Sequence, residues 1–229
     1  MPIGLGLLLL ICYLCNMTFA FDRSKHVFCS PEFEELVKDA IRFFNGTPIQ
    51  PLPPLEQFDG AGVYAIYFIG KSGIYSPFHQ INRYEFKQPI YIGKAVPRGW
   101  RQGRISESSS QELYRRLLDH TKSLKQAANL DHKDFFCRFM ILENAASDLI
   151  GTVEAALIRY YHPLWNSLID GFGNHDPGSG RYNQEISEWD LIHPGRLWTQ
   201  KCAPSNKDRN ELIQEISKYL SNQINGKQC

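Results

Sequence analysis

Two short runs rich in β-branched and aromatic residues, GVYAIYFI at 62–69 and PIYIGKAV at 89–96, restrict the fold of this chain more than any other feature. Each reads as a strand. The polar, turn-rich residues 70–88 between them carry no helical periodicity, and a parallel pair would need a long crossover. Antiparallel pairing is therefore expected, with 70–88 as an inserted excursion. In the first run Tyr64, Ile66 and Phe68 share one face while Ala65 and Tyr67 take the other. FFCRFMIL at 135–142 reads as a third strand.

Helices surround these strands. Ser30-Pro31 opens a helix whose apolar stripe is Phe33, Leu36, Val37, Ala40, Ile41 and Phe44. Asn45-Gly46 ends it, and TPIQPLPP follows as an extended linker. Ser109-x-x-Glu112 has the capping-box form and starts a helix to Ala128, with Leu113, Leu117 and Leu124 facing inward. A second long helix runs from Ser147 to Tyr161 and stops before Pro163. Residues 166–196, rich in Gly, Asn and His, are expected to be irregular and exposed, before a short helix around 210–220. The order predicts an α+β domain: a small, mostly antiparallel three-stranded sheet flanked by helices, with N- and C-terminal extensions.

With 229 residues and 43% hydrophobic side chains the chain can bury one good core. Its 13% aromatic content excludes disorder as the dominant state. A balance of 25 Lys+Arg against 24 Asp+Glu excludes a bulk polycation, so any nucleic-acid binding must come from local clusters. Six cysteines are too few for a disulfide scaffold. Cys12 and Cys15 form a lone C-x-x-C with no second pair for zinc, and Cys137 reads as a buried free thiol.

Residues 1–21 carry no charge, and Gly4–Leu14 is an apolar run of 11. It has the length of a signal-peptide core but lacks the basic flank and a good cleavage site. Two readings stand here: an export signal, or a translated upstream stretch with the true start at Met17. The second makes the protein cytoplasmic.

The first candidate for chemistry is a charge cluster. Between Lys94 and Lys125 the chain is net positive by five, and Lys94, Arg98, Arg101 and Arg104 follow one another without an acid, around Trp100. Such a loop suits a phosphate backbone, or is a solvated surface. Arg116 and His120 are four apart and project from one helical face. An Arg supplies fixed donors to phosphate and a His shuttles protons near neutrality, although such a pair alone is most often a surface face. Glu154 sits in the apolar stretch IGTVEAALI, where a carboxylate needs a partner, a metal or a cleft, unless it lies on the polar helix edge. Tyr64 and Tyr91 lie in the two neighbouring strands. Strand tyrosines are mostly packing, but nearby cations such as Lys94 and Arg116 would favour a phenolate and make one a general base.

Taken together, Gly62-Val63-Tyr64, Tyr91-Ile92-Gly93, an Arg on the next helix, a Glu on the one after and Asn166 beyond it resemble the GIY-YIG nuclease superfamily over residues 60–168. Val63 replaces the Ile of the name. The 26-residue spacer between the two tyrosines is longer than the family usually carries and points to its restriction-endonuclease branch. RFFNGTPIQPLPP, PIYIGKAVPRGWRQGRIS, TVEAALIRYYHPLWN and DGFGNHDPGSGRY resemble stand-alone type II enzymes that cut CCGCGG.

The resemblance implies Mg²⁺-dependent site-specific cleavage of double-stranded DNA at a palindromic GC-rich site. One divalent ion would be held by Glu154, with Tyr64 as general base, Tyr91 positioning water or phosphate, Arg116 neutralising phosphoryl charge, His120 assisting the tyrosine, and Asn166 orienting the groups around the metal. Lys94, Arg98, Arg101, Arg104, Asn174, His175 and Arg181 are candidate DNA contacts. Implied partners are duplex DNA, a second copy of the chain in a homodimer, and a cognate DNA methyltransferase as functional partner; no membrane is involved. The implied organisation is 1–16 upstream or signal-like, 17–57 a helical extension, 58–168 catalytic with the 70–88 insertion, and 169–229 a C-terminal extension carrying a DNA-contacting loop. A homing or repair nuclease of the same superfamily, a non-catalytic DNA-binding relative and an exported nuclease are the competing readings. The first usually needs added DNA-binding modules, and the second would be expected to have lost part of the set.

Overall fold

The structure, a computed structural model, describes residues 21–100, 110–178 and 182–225. The chain forms two compact units, residues 1–35 and 36–229. The described part of the first unit holds a one-turn 3-10 helix at Arg23–Lys25, capped by the Asp22 carboxylate. Residues 1–16 and Met17, on which the two readings of the N-terminus turn, lie outside the described residues.

In chain order the elements are α1 (Pro31–Gly46), β1 (Gln50–Pro51), β2 (Gly62–Phe68), α2 (Pro77–Asn82), β3 (Tyr91–Ala95), α3 (Glu112–Gln126), β4 (Phe135–Ile141), α4 (Ile150–Tyr161), α5 (Leu164–Ser167), α6 (Glu188–Ile192) and α7 (Arg209–Asn225). The sheet order is β1-β4-β2-β3 and every pairing is antiparallel. The fold is α+β, with the three expected strands and a fourth. The extra strand is the two-residue β1 from the proline-rich linker, paired with Phe136 and Cys137. A proline donates no ladder hydrogen bond and so keeps this strand short and at the edge.

All seven residues of β2 are buried. The alternation of its side chains builds two separate cores. Tyr64, Ile66 and Phe68 face Leu113, Leu117 and Leu124 of α3, Trp165, and the apolar residues of α6 and α7. Val63, Ala65 and Tyr67 face Ile150, Val153 and Leu157 of α4 and Phe44 of α1. Helices α3 and α4 thus flank opposite faces of the sheet, and both reach the edge strand β3. Cys137 is a buried free thiol, as expected.

Four expectations are corrected. In α1, Ser30 does accept from the Phe33 amide at the start, but of the stripe only Phe44 is buried, while Phe33 and Leu36 are exposed. Helix α3 begins at Glu112 with Gln111 in the cap position and no side-chain cap, and Ser109 lies outside the described residues. Residues 70–88 are no free excursion: Tyr75 and Phe78 join the core, and the buried Asn82 bonds to the backbone of Phe68 and Gln88, pinning both ends of the segment. Residues 166–196 contain α6, with Trp189, Asp190, Ile192, His193 and Arg196 all buried. Their polar composition hid a core segment because the charges are paired internally, which lets them be buried.

Candidate active site

The site is built around the edge strand β3. Tyr64 and Gly93 are register partners on adjacent strands. A Cβ at Gly93 would lie 2.4 Å from the Tyr64 hydroxyl oxygen, so only glycine lets the phenol cross over the strand. Asn166, at the start of the chain's return after α4, makes two 2.8 Å bonds to one residue: its Oδ1 accepts from the Ile92 amide and its Nδ2 donates to the Ile92 carbonyl. It therefore clamps the free edge of the Tyr91-Ile92-Gly93 strand rather than reaching the reacting groups.

Helix α3 brings Arg116 and His120 to the Tyr64 face. Arg116 Nε donates to the Tyr64 oxygen at 3.3 Å. A guanidinium has no acceptor, so the phenol's own proton points to His120 Nε2, 2.5 Å away. His120 is buried, and desolvation, reinforced by Arg116, pushes its pKa well below the ordinary imidazole value. It is thus the neutral acceptor this bond requires. Tyr91 lies next to the same groups, its ring 5.3 Å from that of His120 and 6.2 Å from that of Tyr64.

One sequence expectation is reversed at this point. Nearby cations were to favour the Tyr64 phenolate. Arg116 does pull the pKa down, but burial dominates and holds it well above the usual value, with Tyr91 adding to the rise. Lys94 is engaged elsewhere: its Nζ lies 2.6 Å from Glu154 Oε2. Tyr91 is raised as well, by burial first. Burial therefore favours the protonated form of both phenols, and the Tyr64 proton is engaged by His120 Nε2.

Glu154 comes from α4, across the sheet edge from α3. Its charge reaches both phenols and opposes their ionisation. Its side chain keeps partial exposure. Among the described residues no group of three or more His, Cys, Asp or Glu gathers to cage a metal. Glu154, with Oε2 on Lys94 Nζ and its side chain partly exposed, is the carboxylate that could help to hold a divalent cation whose remaining shell is water and phosphate oxygen.

The segment 171–175 completes the site. Arg116 Nη2 donates to the Gly173 carbonyl at 3.0 Å, and Nη1 lies 3.4 Å from His175 Nδ1. Phe172 stacks on His120 with centroids 4.5 Å apart. A Cβ at Gly173 would stand 2.7 Å from the Tyr91 hydroxyl. His175, expected as a DNA contact, is therefore at Arg116. Asn174 is exposed beside it. Arg98 is exposed and lies 3.5 Å from Glu112. Arg101, Arg104 and Arg181 fall outside the described residues. Sequence reasoning missed Gly173 and Arg196, whose only linear signal was a Gly-rich stretch followed by an isolated Arg.

The central four groups, two phenols, a guanidinium and an imidazole, with a carboxylate across the sheet edge, form a site that can receive a phosphodiester and move a proton. The family model described as the Eco29kI GIY-YIG domain matches residues 56–220. The chain belongs to this restriction-endonuclease family of the GIY-YIG superfamily, and is a DNA nuclease whose family uses divalent metal ions. A search of curated proteins finds no match. Among the described residues no helix is long and apolar enough to cross a membrane.

Proposed function

We propose that the protein is a type II restriction endonuclease that cuts both strands of a palindromic GC-rich site, CCGCGG, by Mg²⁺-dependent hydrolysis. The observation that carries the chemistry is the Arg116–Tyr64–His120 chain, with Glu154 electrostatically coupled to it. Glu154 would hold the metal, which would supply Lewis-acid activation of the phosphate and stabilisation of the leaving oxygen. Arg116 directs its remaining donor capacity at the phosphoryl oxygens, where charge grows in the transition state. Tyr64 takes the proton of the attacking water as its own proton passes to His120. That relay passes through an imidazolium at His120 instead of a free phenolate; burial disfavours both, and the negative charge of the bound phosphate would offset the imidazolium. Tyr91 and Lys94 position water and phosphate.

Tyr64 is completely buried in the free protein, so its oxygen must gain access to the attacking water when DNA binds. A palindromic target calls for two sites related by a two-fold, and hence a homodimer on DNA, protected in the cell by a cognate methyltransferase. The test is digestion of a sequenced plasmid with and without Mg²⁺, followed by end mapping. The expected result is metal-dependent fragments ending within CCGCGG, with 5′-phosphate and 3′-hydroxyl termini. Ends within another sequence overturn the specificity; no cutting with any divalent ion overturns the activity.

A further inference from the structure

Arg196 is 1% exposed and lies outside every element that carries the catalytic groups. Its guanidinium nevertheless uses all five N–H donors. Nε and Nη2 form a fork on the two carboxylate oxygens of Asp190, at 2.5 and 2.6 Å. The rest go to three carbonyls of a single segment: Gly171 at 2.9 Å, Phe172 at 3.4 Å and Asn174 at 3.0 Å. Trp189 and Trp198 cover the group at 4.7 and 5.0 Å. Ser187 Oγ in turn donates to Asp190 at 2.6 Å, fixing the carboxylate.

The carbonyls of this segment divide between two arginines. Those of 171, 172 and 174 turn to Arg196, and that of 173 turns to Arg116. Next along the chain, His175 meets Arg116 as well. A peptide segment whose other three carbonyls are fixed has little freedom left in the fourth. Arg116 sits on a long, flexible side chain and, among the described residues, forms no ion pair, so the backbone oxygen of Gly173 helps to aim it alongside Tyr64 and His175.

We propose that Arg196 is a positioning residue for cleavage: it moulds residues 171–175 into the shape in which Gly173 and His175 hold Arg116 against Tyr64. This rests on the nuclease reading above. A lysine cannot replace it, because one ammonium on a flexible stem cannot meet a carboxylate fork and three diverging carbonyls together. Charge acts alongside shape. Arg196 helps to keep both His120 and His175 neutral, although desolvation is the larger cause for each.

The test is Arg196→Lys in the full chain, assayed on a duplex carrying the mapped site. Loss of Arg116 alignment is expected to lower kcat about 30-fold, with KM changed about 3-fold or less, as a small misplacement of a catalytic group does. Because Arg196 acts through Arg116, the double variant Arg116→Ala/Arg196→Lys is expected to cut no more slowly than Arg116→Ala. Parent-like cutting by Arg196→Lys, or fully multiplicative losses in the double variant, overturns the proposal. A second readout needs no cleavage: the His175 imidazole, titrated by NMR, should move up towards its ordinary value in Arg196→Lys as residues 171–175 loosen and His175 parts from Arg116. An unchanged titration overturns the proposal even if the parent cuts no DNA, so failure of the nuclease reading and failure of this inference are separable. Should Arg196→Lys not fold, Trp198→Leu removes one half-exposed covering face instead and is held to the same titration criterion.

Discussion

Tyr64–His120 and Tyr75–His193 are built to the same plan and do opposite things. In each, a phenol donates to a buried imidazole Nε2, at 2.5 Å for the first and 2.7 Å for the second. In each, a nitrogen donor returns a bond to the phenol oxygen: Arg116 Nε at 3.3 Å, and Trp165 Nε1 at 3.0 Å. The second pair is closed off. His193 Nδ1 donates to Asn129 Oδ1 at 2.8 Å, Asn129 donates onward to the Ile192 carbonyl, and every partner is neutral. The first pair has a cation as donor, a second phenol beside it and the charge of Glu154 within reach. The same hydrogen-bonded unit is thus packed among neutral, satisfied partners in one place and set beside a charged donor in the other, where the proposed function uses it as a proton relay. The chemistry resides in the neighbours, not in the pair.

Changing one phenol at a time is the strongest way to break this comparison. Tyr64→Phe should slow cleavage about 10³-fold, within the usual range for losing a general base, while DNA binding without metal stays near the parent value. Single-turnover rates and a binding titration separate the two. A near-parent rate would mean that the site pair is packing as well, and would move the base to Tyr91.

Acid should affect both pairs alike. Desolvation depresses His120 well below 6.5 and His193 to about 3, so each binds a proton more readily unfolded than folded. Stability is therefore full above the ordinary imidazole value and falls as pH drops below it towards the depressed ones. His193 should cost about 2 kcal/mol between pH 7 and pH 5, and His120 adds a loss of the same sign. Urea melts at the two pH values measure this. A flat profile would show that neither imidazole is held neutral by burial.

Tyr75→Phe sharpens the contrast from the other side. It leaves His193 Nε2 and Trp165 Nε1 without partners, at a cost of about 2 kcal/mol of stability. Cleavage per folded molecule should be unchanged. A rate loss comparable to that of Tyr64→Phe would mean that the core pair also communicates with the site.

The candidate set was legible because its members sit on regular elements. Tyr64 and Tyr91 lie in strands with clear β character, Arg116 and His120 are one helical turn apart, and Glu154 stands out in an apolar helix. Asn166 stood out as a candidate by its place in the motif, but its bonds to the Ile92 backbone did not, because one side chain's target in a neighbouring strand has no linear signature. The packing of segment 171–175 against Arg116, and Arg196 altogether, were invisible for a related reason. Gly, Asn and His in a row read as exposed loop, and nothing in the linear chain pairs Arg196 with Asp190 or aims it at three carbonyls.

The amino-acid sequence by itself determined the antiparallel strands, the helices on either side and the residue types needed for phosphodiester chemistry, since periodicity and spacing are local properties of a chain. Only the tertiary structure decided which charges neutralise one another: it set Lys94 on Glu154, kept the Tyr64 proton in place and turned an apparently exposed tail into the wall that holds Arg116. Ionisation and alignment depend on what surrounds a group in three dimensions, and burial, which outweighed the nearby cation at Tyr64, exists only once the chain has packed.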